Sequence, residues 1–148
     1  MKQQILTHGT VLSDRFSIET PVGKPDLGQL YKAVDIKTQK PVSLRVIPLD
    51  VIKSETQLDG LRQSVRDNST LTHRNIQSTF GMGVHDDSLL FIASEWIEGE
   101  NLRSLLEKRM KAGKRFSFKG AYNIIGHVCN ALSYAHEHGF HGTLSPCV

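Results

Sequence analysis

The segment Phe91-Ile92-Ala93-Ser94-Glu95-Trp96-Ile97-Glu98-Gly99 divides the 148-residue chain into two parts with different sequence patterns. Before this segment, short apolar stretches are separated by Gly, Pro and Asp residues, which predicts antiparallel strands joined by short loops. After it, Leu102, Leu105 and Leu106 recur at helical spacing. The sequence therefore predicts an α+β fold with a strand-rich first part and a helical second part.

One helix is predicted inside the strand-rich part, near residues 54–70. Leu58, Leu61 and Val65 are spaced by three and four residues, which is typical of one face of a helix. Ser54 is a candidate N-cap, and Gln57 three residues later completes a capping-box pattern. We therefore expect a first domain at residues 1–98, made of a five-stranded sheet and this helix, and a second at residues 99–148 with two helices.

The composition is typical of an ordinary globular protein, with 39% hydrophobic and 22% charged residues. No apolar run approaches the roughly 18 residues that a membrane span needs, and the start of the chain lacks the apolar core of a signal peptide. Cys129 and Cys147 fit a reducing compartment, although their spacing alone does not exclude a disulfide. We expect a cytoplasmic protein without a membrane span.

Several motifs stand in a fixed order and spacing along the chain. A glycine loop of the pattern G-x-G-x-x-G-x-V falls on Gly23, Pro25, Gly28 and Leu30. The stretch Val42-Ser43-Leu44-Arg45 follows, and its last residue, Arg45, lies 15 residues after Leu30. Further on, Leu71-Thr72-His73-Arg74-Asn75-Ile76 matches L-x-H-P-N-I. Near the end, Tyr134-Ala135-His136-Glu137-His138-Gly139-Phe140-His141-Gly142-Thr143 matches the approach to H-R-D.

Taken together, these motifs make the chain similar to the protein kinase family, in particular the bacterial Ser/Thr kinases, from about Thr10 onward. The resemblance implies a kinase-like N-terminal lobe followed by the first helices of the C-terminal lobe, cut off at the catalytic loop. In that family the glycine loop, the strand Lys and the hinge bind ATP. The opening segment, Phe91–Gly99, resembles the strand and hinge of the family. The positions that this implies for a vestigial nucleotide pocket are Gly23, Gly28, Leu30, Arg45, Glu95 and Ile97.

Four positions depart from the family pattern. Arg45 stands for the nucleotide-binding Lys and Ser64 for its partner Glu, while Thr143 replaces the catalytic Asp and Val148 the metal-binding Asn. Thr has no group that titrates usefully near neutral pH, and Val offers no oxygen to a hard cation. The D-F-G segment is also missing from the sequence. We therefore expect no catalytic residues, no bound metal and no cofactor. The chain is then predicted to be a pseudokinase that is no enzyme and acts through protein binding, scaffolding or regulation.

Other interpretations remain open at this level. The chain could be an atypical nucleotide-binding protein or sensor with weak ATP binding. His136, His138, His141 and the two cysteines could form a zinc site. The basic run from Lys108 to Arg115 could contact an anionic partner, although nucleic acid is not expected because no recognised nucleic-acid fold accompanies it. The apolar stripe of the last helix, left partly exposed, could mediate self-association or bind a protein partner.

Overall fold

A computed structural model describes residues 6–23 and 27–140 of the chain. The chain divides into two compact units. The first contains Met1–Thr70 and Gln77–Ile97, and the second contains Leu71–Ile76 and Glu98–Val148. Residues 71–76 thus group with the second unit, whereas the sequence prediction placed them in the first domain.

An antiparallel sheet forms the centre of the first unit. Its strands are β1 (Val11–Leu12), β2 (Phe16–Gly23), β3 (Gln29–Asp35), β4 (Lys40–Pro48), β5 (Thr79–His85) and β6 (Leu89–Glu95). They are ordered β1-β2-β3-β4-β6-β5. The prediction of five strands was wrong by one, because the two-residue strand β1 pairs with the start of β2 across a tight turn in which Ser13 and Asp14 have positive φ angles. The α+β class and the antiparallel sheet are confirmed.

Strand alternation places the main core on one face of this sheet. Antiparallel partners on neighbouring strands point to the same face, so their side chains pack as rows across the sheet. Phe16 and Phe91 meet edge to face with ring centroids 5.6 Å apart. The buried cluster comprises Leu12, Phe16, Ile18, Tyr31, Ala33, Val42, Leu44, Val46, Phe91 and Ala93.

Helix α1 (Glu55–Thr70) packs against β5 and buries Val65. A short 3-10 turn at Leu49–Val51 precedes it. The predicted capping pattern is confirmed, because the backbone N–H of Gln57 donates to Ser54 Oγ at 3.1 Å. The reciprocal bond is displaced by one residue, since Gln57 Oε1 accepts from the backbone N–H of Lys53 at 2.9 Å.

The second unit contains helices α2 (Leu102–Lys111) and α3 (Phe118–Glu137). Asn101 and Ser117 cap them, each accepting a hydrogen bond from the backbone N–H three residues later. The segment Leu71–Ile76 is held against α3 by Tyr134, whose hydroxyl accepts from the backbone N–H of Thr72 at 3.2 Å and whose ring stacks on His73. No helix in residues 6–23 and 27–140 is long and apolar enough to cross a membrane.

Candidate functional site

The strand register brings three of the predicted pocket residues into one row. Leu30 is the Cα partner of Gly23 on β2 and of Arg45 on β4. Arg45 in turn pairs with Ile92 on β6. Because directly opposed residues share a sheet face, Leu30, Arg45 and Ile92 lie side by side on the face opposite the main core. We call Gly23, Leu30, Arg45 and Ile92 the cation row.

Gly28 comes directly before β3 and lies against Val46 and Ile47 of β4. Its φ angle is +84°, a left-handed conformation that side chains disfavour. A Cβ atom at this position would lie 2.3 Å from the Val46 carbonyl oxygen and 2.8 Å from Ile47 Cγ1. Glycine is therefore required here by both conformation and packing. Gly23 differs, because an added Cβ would meet no atom within 4 Å.

Arg45 is half-buried in the central strand of the sheet. Within residues 6–23 and 27–140, its guanidinium takes part in no ion pair or side-chain hydrogen bond. Ser64, the predicted opposite of Arg45, is exposed on α1, and its carbonyl accepts from Asn68 Nδ2 at 2.8 Å. The two side chains are thus not joined. Arg45 is left able to bind an external anion with a planar fork of donors.

A second row of polar side chains lies next to the cation row on the same face. The register pairs Ser43 on β4 with Lys32 on β3 and with Ser94 on β6. Lys32 Nζ lies 3.6 Å from Glu19 Oε2 and 5.2 Å from the centroid of the Trp96 ring. Sequence reasoning missed Lys32, although its position two residues after Leu30 in a strand already indicates the same face. This face of the sheet therefore carries two cations.

The predicted hinge lies at the end of β6. Some of its backbone N–H and carbonyl groups already form hydrogen bonds within the chain, and others do not. The Glu95 carbonyl accepts a hydrogen bond from Gln77 Nε2 at 2.8 Å. The N–H of Glu95 donates to the Ser78 carbonyl at 2.8 Å. Ile97 is 58% exposed, and its backbone bonds to no other residue in the described part of the chain. Ile97 therefore offers free backbone groups, whereas the Glu95 carbonyl is already engaged.

Two further predicted positions, Thr143 and Val148, lie outside the described residues, as do Pro25 of the glycine loop, Cys147 and His141. Cys129 is a free, exposed thiol. In residues 6–23 and 27–140, no three His, Cys, Asp or Glu side chains are grouped so as to hold a metal ion.

Comparison with known proteins identifies relatives of this chain. The model of the protein kinase domain matches residues 16–141. The serine/threonine-protein kinase pkn3 of Myxococcus xanthus is 26% identical over 93% of this chain, and PrkC of Bacillus subtilis is 26% identical over 87%. Aurora kinase of Schizosaccharomyces pombe is 30% identical over 88%. The chain spans only 25%, 19% and 36% of these three relatives.

The same fold is found in solved structures. The crystal structure of the Mycobacterium tuberculosis PknI kinase domain superposes with a TM-score of 0.80 at 19% identity. The match covers 97% of this chain and 56% of the PknI chain. The predicted kinase-like fold is thus confirmed.

The prediction that the chain is no enzyme was wrong. The relatives that it matches are named serine/threonine-protein kinases, which points to a kinase enzyme. That prediction inferred lost function from side-chain identity at four positions. Physically, phosphoryl transfer depends on positioning and on neutralisation of charge. Arg45 carries the same positive charge as the Lys with which the sequence aligns it, so this substitution alone does not indicate lost activity.

Proposed function

The chain belongs to the protein kinase domain family, whose model spans residues 16–141, and we propose that it forms the nucleotide-binding part of a serine/threonine-protein kinase. The observation that carries this proposal is the half-buried guanidinium of Arg45 in the cation row, next to the turn that requires Gly28; among the described residues this guanidinium has no ion-pair partner. In this proposal the row receives the phosphates of ATP.

The chemistry of the row fits that role. A guanidinium donates two parallel hydrogen bonds to phosphate oxygens and stays charged at any physiological pH. Lys32 adds a second positive charge on the same face, which raises the local concentration of an anionic nucleotide. Leu30 and Ile92 flank Arg45 with apolar surface. Because that surface has a low dielectric, it strengthens the attraction between the guanidinium and a phosphate.

The purine is proposed to bind at the end of β6. The free backbone N–H and carbonyl of Ile97 offer a donor and an acceptor to the edge of the base. Glu95 lies three residues beyond Ile92 along the strand, so it is about 10 Å from the cation row. One nucleotide can therefore contact the hinge through its base and Arg45 through its phosphates.

The test measures ligand-induced thermal stabilisation of the chain by ATP and by adenosine. We expect ATP to stabilise the wild-type chain, Arg45→Met to abolish this stabilisation and Arg45→Lys to retain part of it. Adenosine lacks phosphates, so it should stabilise all three proteins equally. A matched control is Arg66→Met on the exposed face of α1. The absence of any shift with saturating ATP, or an equal loss in Arg66→Met, would contradict nucleotide binding at Arg45.

Phosphoryl transfer is proposed for the whole protein, because the chain spans about a quarter or less of pkn3 and PrkC. The corresponding assay follows transfer of the γ-phosphoryl group from ATP to a serine or threonine hydroxyl by the full-length protein. Arg45→Met should lower the rate through a higher KM for ATP. We also propose a cytoplasmic location, where ATP is available.

Protein binding by the second unit is a further proposal. Tyr122, Ile125 and Val128 follow one another at spacings of three residues on α3 and are 69%, 61% and 38% exposed. We call these three residues the α3 apolar row. Covering such a row removes apolar surface from water, which is favourable at roughly 25 cal/mol per Å². We propose that a second copy of the chain covers it.

A further inference from the structure

The positive charge of the chain is concentrated in one segment of the second unit. Residues 103–119 contain seven of the 18 Lys and Arg residues and only one of the 15 acidic residues, Glu107. The rest of the chain holds 11 basic and 14 acidic residues, so it is acidic. The formal net charge of +3 therefore comes entirely from this segment, which comprises most of α2, the loop and the start of α3. We call residues 103–119 the basic hairpin.

Neighbouring groups satisfy only part of this charge. Lys108 pairs with Glu100, and the Arg109 guanidinium lies 4.5 Å from the centroid of the Phe116 ring. By contrast, no acidic side chain in the described part of the chain forms an ion pair with four exposed cations: Lys111, Lys114, Arg115 and Lys119. The sequence also has no Asp or Glu between Lys108 and His136. These four cations therefore present an uncompensated positive field to an external partner.

Apolar side chains project from the same segment. Met110 is 75% exposed at the end of α2, and Phe118 is 89% exposed at the start of α3. A surface that combines Lys and Arg with exposed apolar side chains is typical of proteins that bind the interface of an anionic bilayer. There the cations attract anionic headgroups while the apolar groups enter the acyl boundary.

We propose that the basic hairpin docks on the surface of an anionic lipid bilayer. Three of the four unpaired cations are lysines, which act as hydrated point charges suited to a diffuse anionic surface rather than to fixed bidentate recognition. Nucleic acid is the less favoured partner, because single strands stack successive bases on several aromatic rings, whereas Arg109 covers the Phe116 ring and Phe118 is the one exposed aromatic ring of the basic hairpin.

The test is co-sedimentation of the chain with vesicles of phosphatidylcholine alone or of phosphatidylcholine with phosphatidylserine. We expect binding only when phosphatidylserine is present, and weaker binding as salt is raised. Lys111→Glu, Lys114→Glu and Arg115→Glu combined should weaken binding at least about 100-fold. The matched control replaces three exposed lysines of the first unit, Lys37, Lys40 and Lys53, with Glu, which changes the net charge by the same amount. It should retain most of the binding.

A second variant examines the apolar contribution without changing charge. Met110→Ser with Phe118→Ser should weaken binding to the anionic vesicles at least about tenfold while leaving its salt dependence intact. Circular dichroism of each variant verifies that the helices persist. Equal binding to both vesicle types, equal losses in the two charge-reversal variants, or binding to single-stranded DNA without binding to vesicles would overturn the proposal.

Discussion

The side-chain amide of Gln77 donates a hydrogen bond of 2.8 Å to the backbone carbonyl of Glu95. These two residues are 18 positions apart in sequence and meet where β6 ends. The bond occupies one of the two acceptor positions of the carbonyl that a purine amino group would use at the hinge. In the proposed nucleotide site, Gln77 would therefore compete with the purine for the Glu95 carbonyl.

Gln77→Met is therefore expected to tighten ATP binding. The variant keeps the length of the side chain but removes the amide donor, which leaves the Glu95 carbonyl free for the ligand. A hydrogen bond has a net value of about 1 kcal/mol, which corresponds to an affinity gain of about fivefold. Isothermal titration calorimetry of ATP against the two proteins measures this gain.

Gln63→Met is the matched control for this prediction. Gln63 is also an exposed glutamine with a side-chain bond, to Asp67 Oδ1 at 2.7 Å, but it lies on α1 rather than at the hinge. Its substitution should leave the ATP affinity unchanged. Unchanged or weaker ATP binding in Gln77→Met would show that the Gln77 amide does not compete with the nucleotide.

Gly28→Ala is expected to destabilise the first unit by about 2–4 kcal/mol. The added Cβ would have to adopt a φ of +84° and would overlap the carbonyl oxygen of Val46. Gly23→Ala provides the control, since its Cβ meets no atom within 4 Å and its φ is not positive. We expect that control to change the free energy of unfolding by less than about 0.5 kcal/mol. Urea unfolding of both variants measures the difference, and equal effects would contradict the close contact.

Local sequence signals predicted the elements that depend on local chemistry. The cap of α1 at Ser54 and the strand containing Arg45 both follow from residue type and spacing within a few positions. Contacts between distant positions carry no such signal. The Gln77–Glu95 bond depends on how two strands pair, so the sequence could not reveal that the hinge carbonyl is engaged. Strand β1 was missed because two residues are too short for a visible alternation.

The same limit explains the error about catalysis. Arg45 and Ser64 can each be aligned with a family position, yet an alignment shows only which residue stands there. It does not show which charged groups on other strands lie close to that residue. In the described residues, Arg45 has a second cation, Lys32, in the adjacent row. The position of Lys32 two residues after Leu30 indicates that the two share a sheet face, but only the register between β3 and β4 places Lys32 in the row next to Arg45.

Acid is expected to destabilise the first unit through Asp35. The Arg15 side chain donates to Asp35 Oδ2 through Nη2 at 2.8 Å and Nε at 3.2 Å, and these bonds hold the pKa of Asp35 below its ordinary value of 3.8. A lowered pKa stabilises the folded state above the unfolded-state value, and this contribution is lost as the pH falls through the folded-state value. Wild-type stability should therefore fall below about pH 4.

Asp35→Asn isolates that contribution. The variant should be less stable by about 1–2 kcal/mol at neutral pH and should depend less on acid, because its amide does not titrate. Glu19→Gln is the control, since its contact with Lys32 is 3.6 Å long and both side chains are partly exposed. We expect it to cost less than about 0.5 kcal/mol. Urea unfolding from neutral to acidic pH checks both, and identical acid slopes in Asp35→Asn and wild type would rule out Asp35 as the group.

The α3 apolar row is expected to make the chain self-associate in solution. Ile125→Glu places a charge at the centre of the row, so it should weaken association at least about tenfold, given 1.5–3 kcal/mol for burying one such side chain. Asn123→Glu adds the same charge to another exposed position of α3 and should associate as the wild type does. Sedimentation velocity over a concentration series measures the mass of each protein. A wild-type chain that stays monomeric throughout, or equal association of the two variants, would contradict pairing through this row.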